Sequence, residues 1–195
     1  MSMAVSKHKA NKPDEILDAA SELFASRQFH EVRLEDIAAL AHVGKGTVYL
    51  YWSSKEEVYL AIIRRGFTRV LEQIDGQLPG DGSAWDKIGA VVHGLVDFAF
   101  KHPGMYRVMR SGALTPDDPE LQRVRAALAD RITSVIQKGV ETGELADPHP
   151  ALTTQFILSF ARGAALYPPE GMTQQSLIEH LMRVLKRGID GSGKA

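Results

Sequence analysis

Two short helical segments joined by a tight turn, within residues 34–55, constrain the fold of this chain more than any other stretch. The first segment is predicted over residues 34–40, because Leu34 and Ile37 recur at helical spacing and its alanines allow another helix to approach closely. The turn follows at residues 41–43. Two helices at this spacing are typical of a helix-turn-helix unit, so we expect the N-terminal part of the chain to be helical.

The second segment, predicted from Gly44 to about Trp52, has an unusual outward face. At about 100° per residue, Val48 and Trp52 fall together on the inward side. The opposite side carries glycine, hydroxyl, aromatic and leucine side chains, at Gly46, Thr47, Tyr49 and Leu50. Such a face either packs on a neighbouring helix or contacts a partner molecule. The pairing with a second short helix and the lysines around it favour a surface that contacts DNA.

The arrangement of charge matters more for this interpretation than its sum. The chain has a net charge of −1, and residues 1–55 balance seven basic side chains against seven acidic ones. Three lysines precede the first predicted helix, and Arg33, Lys45 and Lys55 bracket the two short segments. Basic groups placed in this way suit contact with phosphate, although the whole chain has no basic excess.

The remaining hydrophobic periodicity and the helix breakers predict an all-α chain. A first helix is predicted from about Pro13 to Gln28. A long helix starts at Ser53–Ser54, where a serine caps it and a glutamate three residues later forms a capping box, and it runs to about Leu78. No segment shows convincing strand alternation. Further helices are predicted over residues 84–101, 104–112, 117–142, 149–167 and 173–189.

Composition excludes several classes of protein and of site. The 195 residues contain no cysteine, which rules out a disulfide framework, a thiolate zinc site and a cysteine nucleophile. No uninterrupted apolar run approaches the roughly 18 residues that a membrane span needs, and the N-terminus lacks the apolar region of a signal peptide. We therefore expect a cytoplasmic protein, and no metal or other cofactor is predicted.

The sequence VRLEDIAALAHVGKGTVYLYWSSKEEV, residues 32–58, resembles the DNA-binding signature of TetR-type transcriptional regulators. The resemblance extends to PDEILDAASELFASRQF ahead of it, and the helical remainder has the expected length. It implies an all-helical homodimer, usually a repressor, whose three N-terminal helices bind an operator. We therefore expect a DNA-binding domain over residues 1–55, with a flexible tail over 1–11. An effector-binding and dimerisation domain is expected over 56–190, with a tail over 191–195.

The resemblance also assigns individual contacts with DNA. It places recognition-helix contacts at Lys45, Gly46, Thr47, Tyr49 and Tyr51, and a phosphate contact at Lys55. Glycine permits close approach to the duplex, and hydroxyl groups donate to phosphate oxygens. Leu50 has no hydrogen-bonding group, so we predict that it touches a thymine methyl. Arg33 is predicted to contact phosphate through its charge.

Three positions depart from the family pattern, and two of them concern helix caps. Arg33 and Gly44 stand where threonine or serine is frequent at the start of the second and third helices, so capping is expected to be weaker. Glycine at an N-cap costs only a few tenths of a kcal/mol relative to serine. His42 stands where glycine is common in the turn, and it either tolerates the turn conformation or reaches the DNA backbone.

The C-terminal helices contain candidates for an effector site and for a dimer interface. Effector candidates are aromatic, soft or charged residues among apolar ones, although such residues are more often core: His93, Phe100, Tyr106, Met109, Phe160 and Arg162. Arg162 either binds an anionic effector or pairs across a dimer interface, and we slightly favour the interface. The resemblance assigns dimerisation to the last two helices, whose apolar stripes include Phe156, Phe160, Leu177, Leu181, Val184 and Leu185.

Two other functions compete with that of a DNA-binding regulator. Residues 44–47 superficially match part of a phosphate-binding loop, but Ala39 stands where the earlier glycine is required. No HExxH or GxSxG motif occurs, which argues against an enzyme. A helical interaction module that does not bind DNA would leave the outward face of the third helix unexplained. We therefore expect a homodimeric, ligand-responsive repressor on a near-palindromic operator; the effector, the operator sequence and activation as an alternative to repression stay open.

Overall fold

The computed structural model describes residues 12–110, 118–167 and 169–191, and the regular elements of these ranges are helices. The predicted all-α fold is therefore confirmed, and each predicted helix is present with its ends shifted by two or three residues at most. A short 3-10 helix, Phe29–Glu31, follows the first α-helix. The α-helices are α1 (Lys12–Ser26), α2 (Leu34–Leu40), α3 (Lys45–Tyr49), α4 (Lys55–Gln77), α5 (Ala84–Lys101), α6 (Pro103–Arg110), α7 (Pro119–Glu141), α8 (Pro150–Leu166) and α9 (Gln174–Ile189).

The first three helices pack into a small unit around a shared apolar core. Ile16 of α1, Ile37 of α2 and Val48 of α3 are fully buried there. The ring of Phe29 meets that of Tyr59 edge-on, with centroids 5.3 Å apart, so the 3-10 helix packs directly on α4. This unit places α3 at the surface on a well-packed support.

α4 joins this unit to the C-terminal helices through both apolar and charged contacts. Val58, Ile62 and Val70 are buried at helical spacing along it. The Arg65 guanidinium lies 2.9 Å from an Asp14 carboxylate oxygen and 2.6 Å from one of Asp18, both on α1. The two halves of the chain are therefore joined by a cluster of ion pairs as well as by the helix itself.

α5 lies at the centre of the C-terminal helices, where it packs against α4, α7, α8 and α9. Because neighbours surround it, its buried residues occur on more than one face and include Ile88, Val92 and Phe98. Prolines stand in the first turn of α6, α7 and α8, where the missing N–H costs no helical hydrogen bond. The sequence therefore fixes where these three helices begin, while α5 organises how they pack.

A buried carboxylate on α5 links three helices. Asp97 accepts hydrogen bonds from Gln73 of α4 (2.7 Å) and Gln174 of α9 (3.2 Å), and its carboxylate lies 2.8 Å from the Lys101 ammonium. Burial opposes ionisation of this carboxyl, but the hydrogen bonds from Lys101, Gln174 and Gln73 outweigh it and lower the pKa of Asp97. The ionised group thus ties the linking helix α4 to the last helix.

α1 and α3 end two or three residues earlier than predicted, for local reasons. α1 stops at Ser26 because Gln28 is extended (φ −68°, ψ 150°) and begins the 3-10 helix. α3 stops at Tyr49, although the Trp52 N–H still donates to the Val48 carbonyl over 3.1 Å. The inward placement of Val48 and Trp52 is confirmed, because Val48 is fully buried and Trp52 packs half-buried against the core.

Two kinds of feature are absent from the described part of the chain. None of its helices is both long and apolar enough to cross a membrane. Its histidine, aspartate and glutamate side chains form no group of three or more that could hold a metal ion. The predicted tails over 1–11 and 191–195 lie outside the described residues, apart from Gly191.

Candidate functional site

The outward side of α3 and of the turn after it exposes large side chains beside a buried anchor. Tyr49 and Tyr51 are exposed. The side chain of Leu50 is 80% exposed, a much larger fraction than that of a leucine packed in a core. Val48, in the same turn, has no exposed surface. The surface is therefore apolar and aromatic, rigidly supported, and not needed to complete the core of the unit.

Gly46 leaves the middle of this surface open. A methyl group built at its α-carbon would meet nothing within 4 Å, so the chain itself does not require glycine here. Thr47 beside it is half-buried, with its backbone N–H donating to the Gly44 carbonyl over 2.9 Å. An open backbone next to a hydroxyl is suited to close approach of a bulky partner such as a DNA duplex.

The three positions that depart from the family pattern, Arg33, Gly44 and His42, all fit the local backbone. Gly44 is the N-cap of α3 with ordinary extended angles (φ −68°, ψ 147°) and no side-chain cap. At the start of α2, the Arg33 N–H donates to the Asp36 carboxylate over 3.2 Å, which leaves the exposed arginine side chain free of capping duty. His42 adopts φ 52° in the turn, a left-handed conformation that residues other than glycine seldom occupy. The first alternative for His42, tolerance of the turn, is thus confirmed.

Lys45 is exposed but already has a partner. Its ammonium pairs with the Glu35 carboxylate of α2 and lies 5.6 Å from the centre of the Tyr49 ring. The hydrogen bond between the two charged groups lowers the pKa of Glu35 and raises that of Lys45, so both stay ionised at neutral pH. A phosphate that contacts Lys45 has to compete with this carboxylate.

Lys55 has a structural task that sequence reasoning missed. Its ammonium donates to the carbonyls of Phe29 (2.9 Å) and Val32 (3.2 Å), and it lies 4.6 Å from the centre of the Phe29 ring. These bonds hold the segment before α2 on the start of α4, where Ser54 caps the helix by accepting the Glu57 N–H. The serine cap predicted for α4 is confirmed at Ser54, but the Glu57 carboxylate accepts the Ser53 N–H over 2.7 Å, so the reciprocal bond of a capping box is not made to Ser54. The phosphate contact of Lys55 stays a prediction.

A cavity of about 420 Å³ lies among α4, α5, α6, α7 and α8. Its volume is within the roughly 300–1,000 Å³ typical of small-molecule sites. The polar or soft part of its lining consists of Tyr106, Met109, Arg125 and Arg162. The apolar part consists of Phe67, Val70, Leu95, Leu128, Leu158 and Ala161. A mostly apolar cavity with a few polar groups suits an organic ligand.

The cavity brings together half of the predicted effector contacts. Tyr106, Met109 and Arg162 line it as predicted. His93 and Phe100 are exposed on α5 and do not line it, while Leu95 of the same helix does, because helical phase separates the two sides. For these residues the geometry gives no support to the prediction.

The sequence did not determine which of Phe160 and Arg125 reaches the cavity. Phe160 does not line the cavity and stacks on His180 of α9, with ring centroids 6.2 Å apart. Arg125 lines the cavity and was not predicted, because an arginine on an amphipathic helix usually belongs to a solvated face. No local signal distinguishes it from the other arginines of α7.

The six predicted dimerisation residues differ in exposure, and Phe160, half-buried, packs on His180. Phe156 and Val184 are exposed and line an open groove of about 550 Å³ between α8 and α9, together with the exposed Leu152. Leu177 and Leu181 are buried within the subunit, and Leu181 has no exposed surface at all. Leu185 is also buried, at the floor of the groove. The direct role expected for Leu177 and Leu181 is therefore corrected: they hold α9 onto its own subunit.

Comparison with known proteins identifies the family. The model of bacterial regulatory proteins of the tetR family matches residues 16–62, and that of the tetracyclin repressor-like C-terminal domain matches residues 81–189, more than half of the chain. The chain belongs to the TetR family. It is therefore a DNA-binding, ligand-responsive transcriptional regulator, as predicted. This is a family of transcriptional regulators, which are generally not enzymes.

Individual relatives agree with this assignment. The chain is 29% identical over 171 residues to the uncharacterised HTH-type transcriptional regulator YfiR of Bacillus subtilis, covering 84% of this chain and 83% of that one. The structure of the fatty acid degradation regulator FadR of Bacillus halodurans matches with a TM-score of 0.78 at 21% identity, over 92% of this chain and 96% of that one. AibR in complex with isovaleryl coenzyme A and operator DNA matches with a TM-score of 0.77 at 15% identity, over 90% and 98%. The two structures show the shared fold.

Proposed function

We propose that this regulator is a homodimer that places two copies of α3 in successive major grooves of a near-palindromic operator and represses transcription until a small molecule fills the cavity. The observation that carries the proposal is the outward side of α3. Tyr49, Leu50 and Tyr51 are exposed next to the fully buried Val48, so the chain holds large side chains at its surface that its own fold does not use.

The DNA contacts divide by chemistry. Contacts with phosphates position the protein, and they come from Lys45, Thr47 and the tyrosine hydroxyl groups. The exposed Arg33 adds a further positive charge for phosphate contact. Leu50, the most exposed of the large side chains here, reaches a thymine methyl in the groove. Lys55 contacts phosphate only with whatever donor capacity its bonds to the Phe29 and Val32 carbonyls leave.

The groove between α8 and α9 supports the proposed dimer. Leu152, Phe156 and Val184 are exposed along it, and a second copy related by a two-fold axis would cover them and form a four-helix bundle. Such an arrangement fixes the spacing between the two α3 helices. Operator recognition then depends on the geometry of the C-terminal domains.

α6 lies between the cavity and the DNA-binding unit, and we propose that it transmits the ligand signal. Met109 lines the cavity and packs so closely on Gly66 of α4 that a methyl group at Gly66 would lie 2.2 Å from the Met109 sulfur. The Tyr59 hydroxyl of α4 donates to the Val108 carbonyl over 3.2 Å, and α6 also packs on α1. A ligand that displaces Met109 therefore changes how α6 holds both α4 and α1.

The ligand can change DNA affinity only if it binds one arrangement of the dimer more tightly than the other, the arrangement that fits the operator or the one that does not. The coupling free energy between two such sites is typically about 1–3 kcal/mol. One structural neighbour, AibR, was solved in complex with isovaleryl coenzyme A and operator DNA, so a regulator of this fold takes both a small molecule and DNA. The proposed switch uses three parts of the described residues: the outward side of α3 binds DNA, the cavity among α4–α8 binds the ligand, and α6 connects the two.

Selection of bound sequences from random DNA with the purified full-length protein tests the proposal directly. We expect a near-palindromic consensus whose half-sites are about one helical turn apart or a multiple of it. Affinity for that consensus should fall steeply with salt, because phosphate contacts release counterions. Enrichment of a single, non-repeated half-site would contradict the dimeric mode, and no enrichment at all would contradict sequence-specific binding.

A further inference from the structure

We propose that the cavity among α4–α8 takes an amphipathic anion, a ligand with an apolar body and a carboxylate or phosphate group held by Arg125 and Arg162. This inference rests on the proposed function, because it names the chemical class of the effector that the cavity would bind. The lining supplies both parts of the match. Phe67, Leu128 and Leu158 offer apolar surface, and the two arginines supply the charge.

Arg125 differs from the other arginines of its helix in what it contacts. Arg123 pairs with Glu120, and Arg131 lies 2.6 Å from an Asp75 carboxylate oxygen. Arg125 has no acidic partner among the described residues, and its guanidinium carbon lies 5.3 Å from the centre of the Phe67 ring. Stacking on Phe67, itself a lining residue, holds the guanidinium at the cavity while its N–H donors remain available.

Arg162 places a second guanidinium at the same cavity from α8. It likewise has no carboxylate partner in the described part of the chain, and no acidic residue belongs to the cavity lining. Because both guanidinium groups line one cavity, a single anion bound there can accept hydrogen bonds from both. Guanidinium groups bind carboxylates and phosphates in a bidentate manner that a neutral ligand cannot match.

Both arginine side chains are exposed, whereas the apolar residues behind them are buried or half-buried. Val70, Leu95 and Leu128 lie among the buried ones. The geometry therefore orients the ligand, with its charged end toward solvent and its apolar body inside. Met109, a soft and buried lining residue, therefore meets the apolar body of the ligand and is the residue that the ligand would displace.

Isothermal titration calorimetry on the full-length protein with four probes tests this class. The probes are octanoate, octanol, octanoyl coenzyme A and coenzyme A alone. We expect octanoate or octanoyl coenzyme A to bind at least about tenfold more tightly than octanol, because only an anion forms charged hydrogen bonds with the guanidinium groups. Binding of octanoate assigns the anion to a carboxylate. Binding of octanoyl coenzyme A alone assigns it to the phosphates of a conjugate.

Variants decide whether the two arginines are responsible. Arg125→Gln and Arg162→Gln should each remove most of the preference for the anionic probe over octanol, while Arg123→Gln, on the same helix but paired with Glu120, should keep it. Equal affinity for octanoate, octanoyl coenzyme A and octanol would overturn the proposal. So would an unchanged preference in both variants, or coenzyme A binding as tightly as its octanoyl thioester.

Two further measurements separate this inference from the proposed function. Sedimentation of Arg162→Gln should show an unchanged oligomeric state; dissociation would assign Arg162 to a subunit interface and overturn its role here. Gel shifts with the selected operator give the second readout. If an anion binds by calorimetry and DNA affinity does not change, the switch fails and the ligand class stands. If DNA binds and no probe does, the ligand class fails and the DNA-binding function stands.

Discussion

The proposed DNA-contacting surface and the proposed effector cavity are assembled in opposite ways. The surface comes almost entirely from one continuous run, residues 44–51, on a short helix and the turn after it. The cavity takes its lining from five helices, α4 to α8. A contiguous surface can be read from a motif, whereas a cavity exists only once the helices have packed.

The two regions also differ in how far function is separated from stability. Tyr49 and Leu50 are exposed and contribute little to the core, so substitutions there should leave the fold intact. Val70 and Leu95 line the cavity and are buried in the core at the same time. Changes at the cavity should therefore alter ligand binding and stability together.

The largest effect is expected within α9, where buried and exposed positions lie three residues apart. Leu181→Glu places an unpaired charge in a site with no exposed surface, so we expect a loss of about 4 kcal/mol or more in the free energy of unfolding. Val184→Glu, at a position 40% exposed in the groove, should instead yield folded monomers whose melting temperature falls much less, by the stabilisation that dimer formation adds. Thermal denaturation and sedimentation separate the two outcomes. A well-folded Leu181→Glu monomer would show that Leu181 serves the interface after all.

The next largest effect tests whether DNA binding can be lost without a change in the stability of the fold. Tyr49→Ala should weaken operator binding by about tenfold or more, because a phosphate-contacting hydroxyl and its ring are lost. The melting temperature should not change, since Tyr49 is exposed. Tyr167→Ala is the matched control, as this tyrosine is exposed at the end of α8. Equal DNA affinity of the two variants in gel shifts would remove Tyr49 from the interface.

A substitution at Gly66 should show the coupling of fold and function at the cavity. Gly66→Ala forces Met109 to move, and overpacking of this kind typically costs about 1–3 kcal/mol. Ligand affinity should change as well, because Met109 lines the cavity. Gly76→Ala on the same helix is the control, since a methyl group there meets nothing within 4 Å and alanine favours the helix by roughly 0.5–1 kcal/mol. Denaturant titration and calorimetry measure the two effects; a Gly66→Ala protein that behaves like Gly76→Ala would contradict the close packing.

The smallest effect concerns the pair of Lys45 and Glu35. Glu35→Gln removes the carboxylate that competes with phosphate for Lys45, so operator affinity should rise by about twofold to fivefold, a size typical of exposed ion pairs. Glu56→Gln makes the same change of charge at an exposed position of α4 that is not paired with Lys45, and it should raise affinity less. If both variants gain equally, the effect comes from net charge alone and the specific pair has no part in it.

Particular residues show how far sequence reasoning reached. The serine cap at Ser54, the inward placement of Val48 and the turn at His42 follow from patterns a few residues long, and the structure confirms them. The structural role of Lys55 was missed, because its partners, the carbonyls of Phe29 and Val32, lie more than twenty residues earlier in the chain. A pattern of residue types carries no information about such a contact.

α9 illustrates the same limit on the scale of a helix. Its stripe of Leu177, Leu181, Val184 and Leu185 was correctly predicted to be apolar, but the sequence did not say which part faces its own subunit. Arg125 and Arg123, two residues apart on α7, look equivalent in sequence. Only the packing of α7 against α4 places Arg125 at Phe67 and the cavity.

The sequence by itself determined the helices, most of their caps and membership of the TetR family, and it marked the run proposed to contact DNA, because hydrogen bonding, capping and periodicity act over a few residues. The tertiary structure alone decided where the cavity lies, which arginines reach it, and which leucines of α9 are hidden in the subunit. These features depend on the relative rotation of helices far apart in the chain, and that rotation is set by the packing of the whole core.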